Sequence, residues 1–407
     1  MKDVVVTGMG IVSPLGHTVD RYWENLLAGT VAVRTSTPEQ SGAEHGVPWA
    51  PMTDFDPAAR LDERLIAGTD RFAQILLVAA EDAVADAGLD TLDPLRTAVV
   101  SATAMGGLTS VVDAQSAFER SGPDAVPAKT QIRMWPNMGA AQVAHRWRLH
   151  GPQLTLCTAC AASLDAIGTG ARFLESGIAD VAIVGGSDAQ LRPLMLLSAG
   201  GLGAGSGATD PARASLPFDK ERSGMVVGEG GGVLVLERRD HARARGATAY
   251  ATVAGYGSLA DSYHPSSPDP TGEWQTLTMQ QALDDAQLDV GAVGGVLAHG
   301  TATRIGDTSE IRAVNRYLGG RADEVKVASV KGHVGHSSGA AASMSAVAAV
   351  RALRDGRMVM NAGTTDPDDE ARFEIVTRDP APLSGEAIQV NAFGFGGQNA
   401  SLVLTAV

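Results

Sequence analysis

Gly151-Pro152-Gln153-Leu154-Thr155-Leu156-Cys157-Thr158-Ala159-Cys160-Ala161-Ala162-Ser163-Leu164-Asp165 is the stretch from which the fold of this chain can be worked outward. The run from Leu154 to Leu156 reads as a buried strand. At Cys160 it gives way to small residues. The chain then continues as a helix to Glu175, with Leu164, Ile167, Ala171 and Leu174 at helical spacing. A thiol at such a strand-to-helix junction faces the unpaired N–H groups and positive end of the helix, a setting that favours thiolate. A lone cysteine there also reads as a buried structural residue. Choosing between these requires a base and an oxyanion site elsewhere in the chain.

Outward from this stretch, strands alternate with helices. Upstream, Val4–Gly10 reads as a strand closing in a Gly-rich turn, 69–87 as a long amphipathic helix, and Thr97–Ser101 as another apolar strand. Downstream, Asp180–Gly186 and Gly232–Leu236 read as strands, separated by a loose Gly-rich loop over 199–207. The second part then replays the first. Strands at 249–253, 293–298 and 325–330 are each followed by a helix, and strands at 388–390 and 400–404 close the chain. Such alternation implies parallel βαβ units. Two similar parts imply an internal duplication with helices sandwiched between sheets, divided here as 1–245 and 246–407. The Gly8-Met9-Gly10 turn lacks the third glycine and acidic partner of a dinucleotide fingerprint. The Gly201/Gly203/Gly205 loop lacks the flanking strand and helix of a phosphate cradle, so it reads as a mobile lid or surface loop.

Composition narrows the class. The 407 residues carry 46 acidic against 32 basic side chains, a formal charge of −14, which argues against a nucleic-acid binder. Two cysteines give no disulfide framework and fit a reducing cytoplasm. No signal-peptide pattern precedes the first strand, and the most apolar helix, near 338–353, contains Arg351 and is too short for a bilayer. The expectation is a soluble cytoplasmic protein with no membrane partner.

Three strand ends carry reactive groups: Cys160, then His299-Gly300-Thr301-Ala302-Thr303, then Lys331-Gly332-His333-Val334-Gly335-His336. Functional residues collect at the carboxyl ends of parallel strands, so the three can meet at one site. The glycines beside His299 and His336 allow close approach of backbone and ligand. His17, His45, His145, His150, His241 and His264 have no such frame and read as ordinary core or surface residues.

Thr158-Ala159-Cys160, His299-Gly300-Thr301, Lys331 with Gly335-His336, and Asn391-Ala392-Phe393-Gly394-Phe395-Gly396-Gly397 together resemble the β-ketoacyl-acyl-carrier-protein synthases, in particular the elongating type II kind. The resemblance spans essentially the whole chain. It implies the thiolase fold, a duplicated five-layered α/β/α/β/α arrangement. It implies an acyltransferase that joins an acyl group on the enzyme cysteine to malonyl-carrier protein with loss of CO2. Cys160 would carry the acyl chain, and His299 and His336 would donate to the malonyl thioester oxygen. The N–H groups of Cys160 and Phe395 would form a second oxyanion hole, and Phe395 would gate the acyl tunnel. Lys331 and Glu310 would form a buried charged pair fixing the histidine loops, with Asp307, Thr301 and Thr303 in support. No resident cofactor or metal is implied, since substrates arrive on the phosphopantetheine of an acyl carrier protein. A dimer is implied, either of identical chains or with a chain-length-factor-like subunit. In it the strand Asp180–Gly186 would pair across the two-fold axis, and 130–137 would help wall the partner's tunnel.

Several positions depart from the family pattern. Ala302 stands where Gly or Ser is common, Gly332-His333 where Ser and a Met-like residue are usual, and Gln398 where Thr or His is usual. The basic cluster for carrier protein is thinned to residues such as Arg64 and Arg71. Against the family reading, Cys157-x-x-Cys160 spells a redox or zinc motif. A chain-length factor would have lost the reactive cysteine. A degradative thiolase would need a second cysteine after Cys160, and a starter-unit synthase would have Asn in place of His336. The Ala161–Asp165 continuation and the Gly332-His333 pair favour type II polyketide or polyene synthesis over fatty-acid elongation.

Overall fold

The computed structural model describes residues 3–407. Its principal elements are numbered here in chain order. The first half contains β1 (Val4–Val12), α1 (Arg71–Asp86), β2 (Thr97–Ala102), β3 (Gln153–Leu156), α2 (Ala162–Glu175), β4 (Val181–Asp188) and β5 (Gly230–Arg238). The second contains β6 (Ala251–Ala260), α3 (Glu273–Ala286), β7 (Val293–Leu297), α4 (Arg304–Leu318), β8 (Lys326–Ala328), α5 (Ala341–Asp355), β9 (Glu374–Ile375), β10 (Ala387–Phe393) and β11 (Gln398–Thr405).

One 11-stranded sheet runs β9-β8-β7-β10-β11-β6-β1-β5-β4-β2-β3. With β9 set aside as an extra edge strand outside β8, the order within each half is the same: third, second, fourth, fifth, first. In each, the second strand pairs parallel to the third and fourth; β9 pairs parallel to β8, and the remaining pairs are antiparallel. The sheet is therefore mixed rather than wholly parallel. The halves join through β1 and β6 at only two residue pairs, Val5 with Thr252 and Val6 with Ala251. The helices fall into three layers about this folded sheet. Helix α1 covers β1, β5 and β4 from outside, and α3 covers β6, β11 and β10. Helices α2 and α5 each touch strands of both halves and lie between them. The five layers expected from the sequence are present.

Small residues make those layers possible. Along α5 nearly every residue from Ala341 to Val350 is buried, since strands face it on both sides. On α2 a Cβ at Gly168 would lie 2.4 Å from the Tyr256 ring, and one at Gly170 2.3 Å from Val184. The Gly8-Met9-Gly10 stretch is not a turn: β1 runs through it to Val12. Its glycines admit α1, because a Cβ there would stand 2.1 Å from the Ala83 carbonyl and 1.9 Å from that of Ala79. Gly255 and Gly257 on β6 do the same beneath α3, at 2.1 Å from Ala282 O and 2.4 Å from Thr278 O. The duplication is thus repeated in detail.

Three further expectations change. Strand Asp180–Gly186 becomes β4, which lies inside the sheet between β2 and β5. The open edge of the first half is instead β3, whose residues are exposed or half-buried, with Leu154 41 % exposed. An apolar run does not by itself distinguish a central strand from an edge awaiting a partner. The Gly-rich loop over 199–207 begins inside a helix, Pro193–Gly201, where Pro sets the first turn and Leu196 and Ala199 anchor it. No helix among the described residues is long and apolar enough to cross a membrane.

Candidate active site

The third strand and following helix of each half end up back to back, so the turns opening α2 and α5 touch. The turn before α2 is a 3₁₀ turn, Ala159–Ala161, and Ala159 holds a left-handed φ of 48°. The matching turn before α5 is Ser338–Ala340, with Ser338 at φ 46°. Such φ values are uncommon for residues with a Cβ and are sustained only where the surroundings hold them. They set Cys160 on a sharp turn just ahead of α2, with His336 facing it from the loop preceding α5. His299 enters two residues beyond the end of β7.

Nε2 of His336 lies 3.1 Å from Cys160 Sγ. The His299 and His336 rings meet edge to face at 5.5 Å, and Phe393 packs on the other side of His299 at 5.9 Å. One nitrogen from each ring and the sulfur all lie within 4.8 Å of one another. A cavity of about 550 Å³ reaches all three and is also lined by Phe395, Thr301 and Thr303. The Thr301 and Thr303 hydroxyls lie 3.0 Å apart. The backbone N–H groups of Phe395 and Cys160 each favour the thiolate form of this sulfur. Gly394 allows this, because a Cβ there would come 3.1 Å from the Cys160 nitrogen.

Electrostatics here differ from the sequence expectation. Burial pushes the Cys160 thiol up rather than down, and outweighs Lys331 and the backbone N–H groups that favour thiolate. Burial also pushes both histidines well below their ordinary value, His299 additionally through Lys331 and His336, and His336 through Lys331. The resting pair is therefore a neutral thiol beside neutral imidazoles. Cys157, one residue past the edge strand β3, is exposed. Partial desolvation of its sulfur still raises its pKa.

Lys331, Glu310 and Asp307 stand behind the cavity and are 2 %, 1 % and 1 % exposed. Lys331 and Glu310 do not bond to each other. They grip the same peptide from opposite sides. Glu310 accepts from the N–H of His299 at 2.8 Å and of Gly300 at 2.7 Å, while Lys331 Nζ donates to the His299 carbonyl at 2.5 Å. Burial, first among the causes, raises Glu310 to about 7 and lowers Lys331 to about 8. Asp307 accepts from the N–H of Phe218 at 2.8 Å and of Ala302 at 3.1 Å, two residues with left-handed φ of 64°. Burial raises it to about 6.

Two supporting residues are not visible as motifs. Asp188, at the end of β4, accepts from Thr103 Oγ1, from the N–H groups of Ala104 and Met105, and from Gly339 N–H at 2.8 Å. It ties the loop after β2 to the turn before α5, and burial raises it to about 6. Gln190 accepts from Ser338 Oγ at 2.9 Å and lies 3.4 Å from the His336 carbonyl. The sequence signal was a polar residue just past an apolar strand end. Two basic or polar departures are also resolved. Arg71 is not a free docking cation, since it pairs with Glu229 at 2.9 Å. His333 is fully buried between the carbonyls of Thr30 and Met360, 2.9 Å from each.

A zinc reading would need Cys157 and Cys160 with two histidines, yet only Cys160 joins the histidine cluster. His336 Nδ1 is buried without a hydrogen-bond partner, whereas ligating imidazoles normally give their second nitrogen to a carbonyl or carboxylate. The Lys331 ammonium behind the site also opposes a dication. A cysteine sulfur, two imidazoles and two backbone N–H groups gather at one cavity, an arrangement with the parts that acyl transfer needs.

Comparison with known proteins agrees. Residues 1–242 match the family model for the beta-ketoacyl synthase N-terminal domain, and residues 250–365 that for the C-terminal domain. The chain is 35 % identical to a 3-oxoacyl-[acyl-carrier-protein] synthase 2 of Coxiella burnetii, over 100 % of this chain and 99 % of the relative. It is 37 % identical to a Streptomyces cyaneus protein named as a polyketide beta-ketoacyl synthase, over 99 % and 98 %. Among solved structures, it superposes with a TM-score of 0.93 and 28 % identity on one chain of a complex described as a type II polyketide-synthase acyl-carrier protein with its ketosynthase bound to the hexaketide, covering 100 % of both chains. A Burkholderia phymatum beta-ketoacyl synthase gives 0.91 and 30 %, again over 100 % of both. The chain belongs to the β-ketoacyl synthase family.

Proposed function

We propose that this condensing acyltransferase divides its reaction between its two halves. Residues 1–245 would supply the nucleophile Cys160, and residues 246–407 the two imidazole donors. The observation that carries this reading is the meeting of Cys160 Sγ with the His299 and His336 nitrogens within 4.8 Å at one cavity. An acyl group first passes to Sγ. A carbon–sulfur bond forms, and the carrier's thiol leaves with the proton. A malonyl thioester then places its carbonyl oxygen against the Nε2–H groups of His299 and His336. Both imidazoles are neutral near pH 7, so each donates one hydrogen bond and neither competes for a proton. The carboxylate carbon–carbon bond breaks, CO2 leaves, and the electron pair becomes an enolate held by the two donors. The enolate carbon attacks the acyl carbonyl on Cys160, and the resulting oxyanion is held by the N–H groups of Cys160 and Phe395. Collapse of this adduct releases the β-ketoacyl thioester and returns the sulfur. Phe395, 42 % exposed at the cavity, gates the acyl path, and Lys331, Glu310 and Asp307 hold the His299 loop.

Substrates on this reading arrive as thioesters on the phosphopantetheine of an acyl carrier protein in the cytoplasm, where the two free cysteines stay reduced. Relatives named as 3-oxoacyl-[acyl-carrier-protein] synthases and as polyketide beta-ketoacyl synthases are about equally similar, at 35 % and 37 % identity, so pathway rests on the sequence features. The Ala161–Asp165 continuation and the buried His333 support type II polyketide or polyene synthesis, with fatty-acid elongation as the alternative. A partner, either a second copy or a chain-length-factor-like subunit, would pair along the open edge of β3. Leu154 on that strand is 41 % exposed, which supports such cover. The test is reconstitution with malonyl-carrier protein and an acyl primer, read by mass spectrometry of the carrier. The expected product is carrier mass increased by the primer plus two carbons. CO2 release with no carbon–carbon bond formed, by wild-type protein supplied with both malonyl-carrier protein and acyl primer, would contradict the reading.

A further inference from the structure

Arg304 opens α4, a 15-residue helix, and lines the same cavity that reaches Cys160. It lies one residue beyond Thr303 and three beyond Thr301, whose hydroxyls also line that cavity. Its Nε donates to the Arg222 carbonyl at 3.3 Å, which fixes the guanidinium plane while the side chain stays exposed. Arg192, Arg213, Arg222 and Arg312 each have a carboxylate partner; among the described residues Arg304 has none. An unpaired fork at the mouth of a cavity, on a chain of charge −14, is an anion site in waiting. Its geometry suits the paired oxygens of a phosphate better than a point contact. The first turn of α4 adds its positive end to the same locus.

We propose that Arg304 is a specificity-determining residue that binds the phosphate at the head of the pantetheine arm, and so selects phosphopantetheine-borne thioesters over thioesters lacking that phosphate. This rests on the ketosynthase reading above. The phosphate lies at the end of the arm remote from sulfur. A cation at the mouth therefore acts on capture of the substrate, leaving the reacting atoms at Cys160 and the histidines untouched.

The test follows CO2 release from malonyl-pantetheine, malonyl-phosphopantetheine, malonyl-coenzyme A and malonyl-carrier protein, and takes the ratio of kcat/KM with and without the phosphate. Wild-type protein should prefer malonyl-phosphopantetheine over malonyl-pantetheine by roughly tenfold or more, the range of one charge-assisted pair. Arg304→Ala should collapse that ratio towards one, with the change in KM. Arg304→Lys, which keeps charge but loses the fork, should retain part of it. Arg316→Ala, an exposed arginine further along α4, should leave the ratio as in wild type. A ratio unchanged in Arg304→Ala would overturn the proposal. So would a loss seen only with malonyl-carrier protein, which would place Arg304 in protein docking, or only with malonyl-coenzyme A, which would point to its nucleotide phosphates. Absence of CO2 release from every thioester by wild-type protein would instead overturn the ketosynthase reading itself.

Discussion

At Glu310 a single carboxylate satisfies two successive peptide N–H groups, and this makes its chemistry difficult to replace. In Glu310→Gln one of the two acceptors becomes an NH2 facing an N–H, a mismatch costing about 1–3 kcal/mol in a buried site. The His299 loop should shift, and displacement on the ångström scale is worth ~100-fold in rate. The expected outcome is decarboxylation slowed by about that factor while Cys160 still accepts acyl groups; equal loss of both activities would contradict a role limited to His299. A stability signature accompanies it. The folded pKa of Glu310 is raised to about 7, so the folded state holds a proton that the unfolded state has lost. Its contribution is present below pH ~4.5 and is lost as pH rises through 7. The urea midpoint difference between wild type and Glu310→Gln should therefore move against wild type between pH 5 and 8; a parallel pair of curves would contradict the shift. Cys160, His299, His336 and Phe395 were legible because glycines or small residues frame each of them in sequence. Asp188 and Gln190 were not, because their partners come from Thr103–Met105 and Ser338–Gly339, remote along the chain. The thiolate expectation failed for a related reason: a helix terminus is local, but the burial that outweighs it is assembled from both halves.

At the scale of elements, the glycine pairs of β1 and β6 carry the most specific packing. Gly10 passes beneath α1 with no room for a Cβ, 1.9 Å from a carbonyl oxygen that belongs to helix backbone and cannot swing aside. Gly10→Ala should destabilise the protein by about 1–3 kcal/mol, the usual cost of overpacking, or more. Denaturant unfolding measures it; a change within ~0.5 kcal/mol would mean that α1 does not sit as described. The sequence marked these positions but assigned them a turn, because a Gly-x-Gly after an apolar run signals a turn far more often than a helix crossing. Strand and helix types were otherwise readable from periodicity. Spatial order was not: the placement of β4 inside the sheet and β3 at its edge follows from chain crossings that leave no mark on the apolar pattern.

At the scale of the molecule, the repeated strand order of the halves brings α2 and α5 together, and with them the turns that set Cys160 opposite His336. The open edge of β3 points to pairing. Leu154→Glu, placing a charge on that edge, should convert an assembled protein to single chains, as read by mass photometry; an unchanged mass distribution would move the interface elsewhere. The central claim is that Cys160 from one half and the histidines from the other do separable jobs. The most direct measurement follows CO2 release from labelled malonyl-carrier protein and, separately, acyl transfer to the enzyme, in Cys160→Gln and His336→Ala. Cys160→Gln should lose acyl transfer and chain extension yet keep decarboxylation, since the imidazole donors remain. His336→Ala should decarboxylate roughly 100- to 1,000-fold more slowly, as for loss of one oxyanion donor, while Cys160 still becomes acylated. Normal decarboxylation by His336→Ala together with loss of acylation would contradict this division of labour.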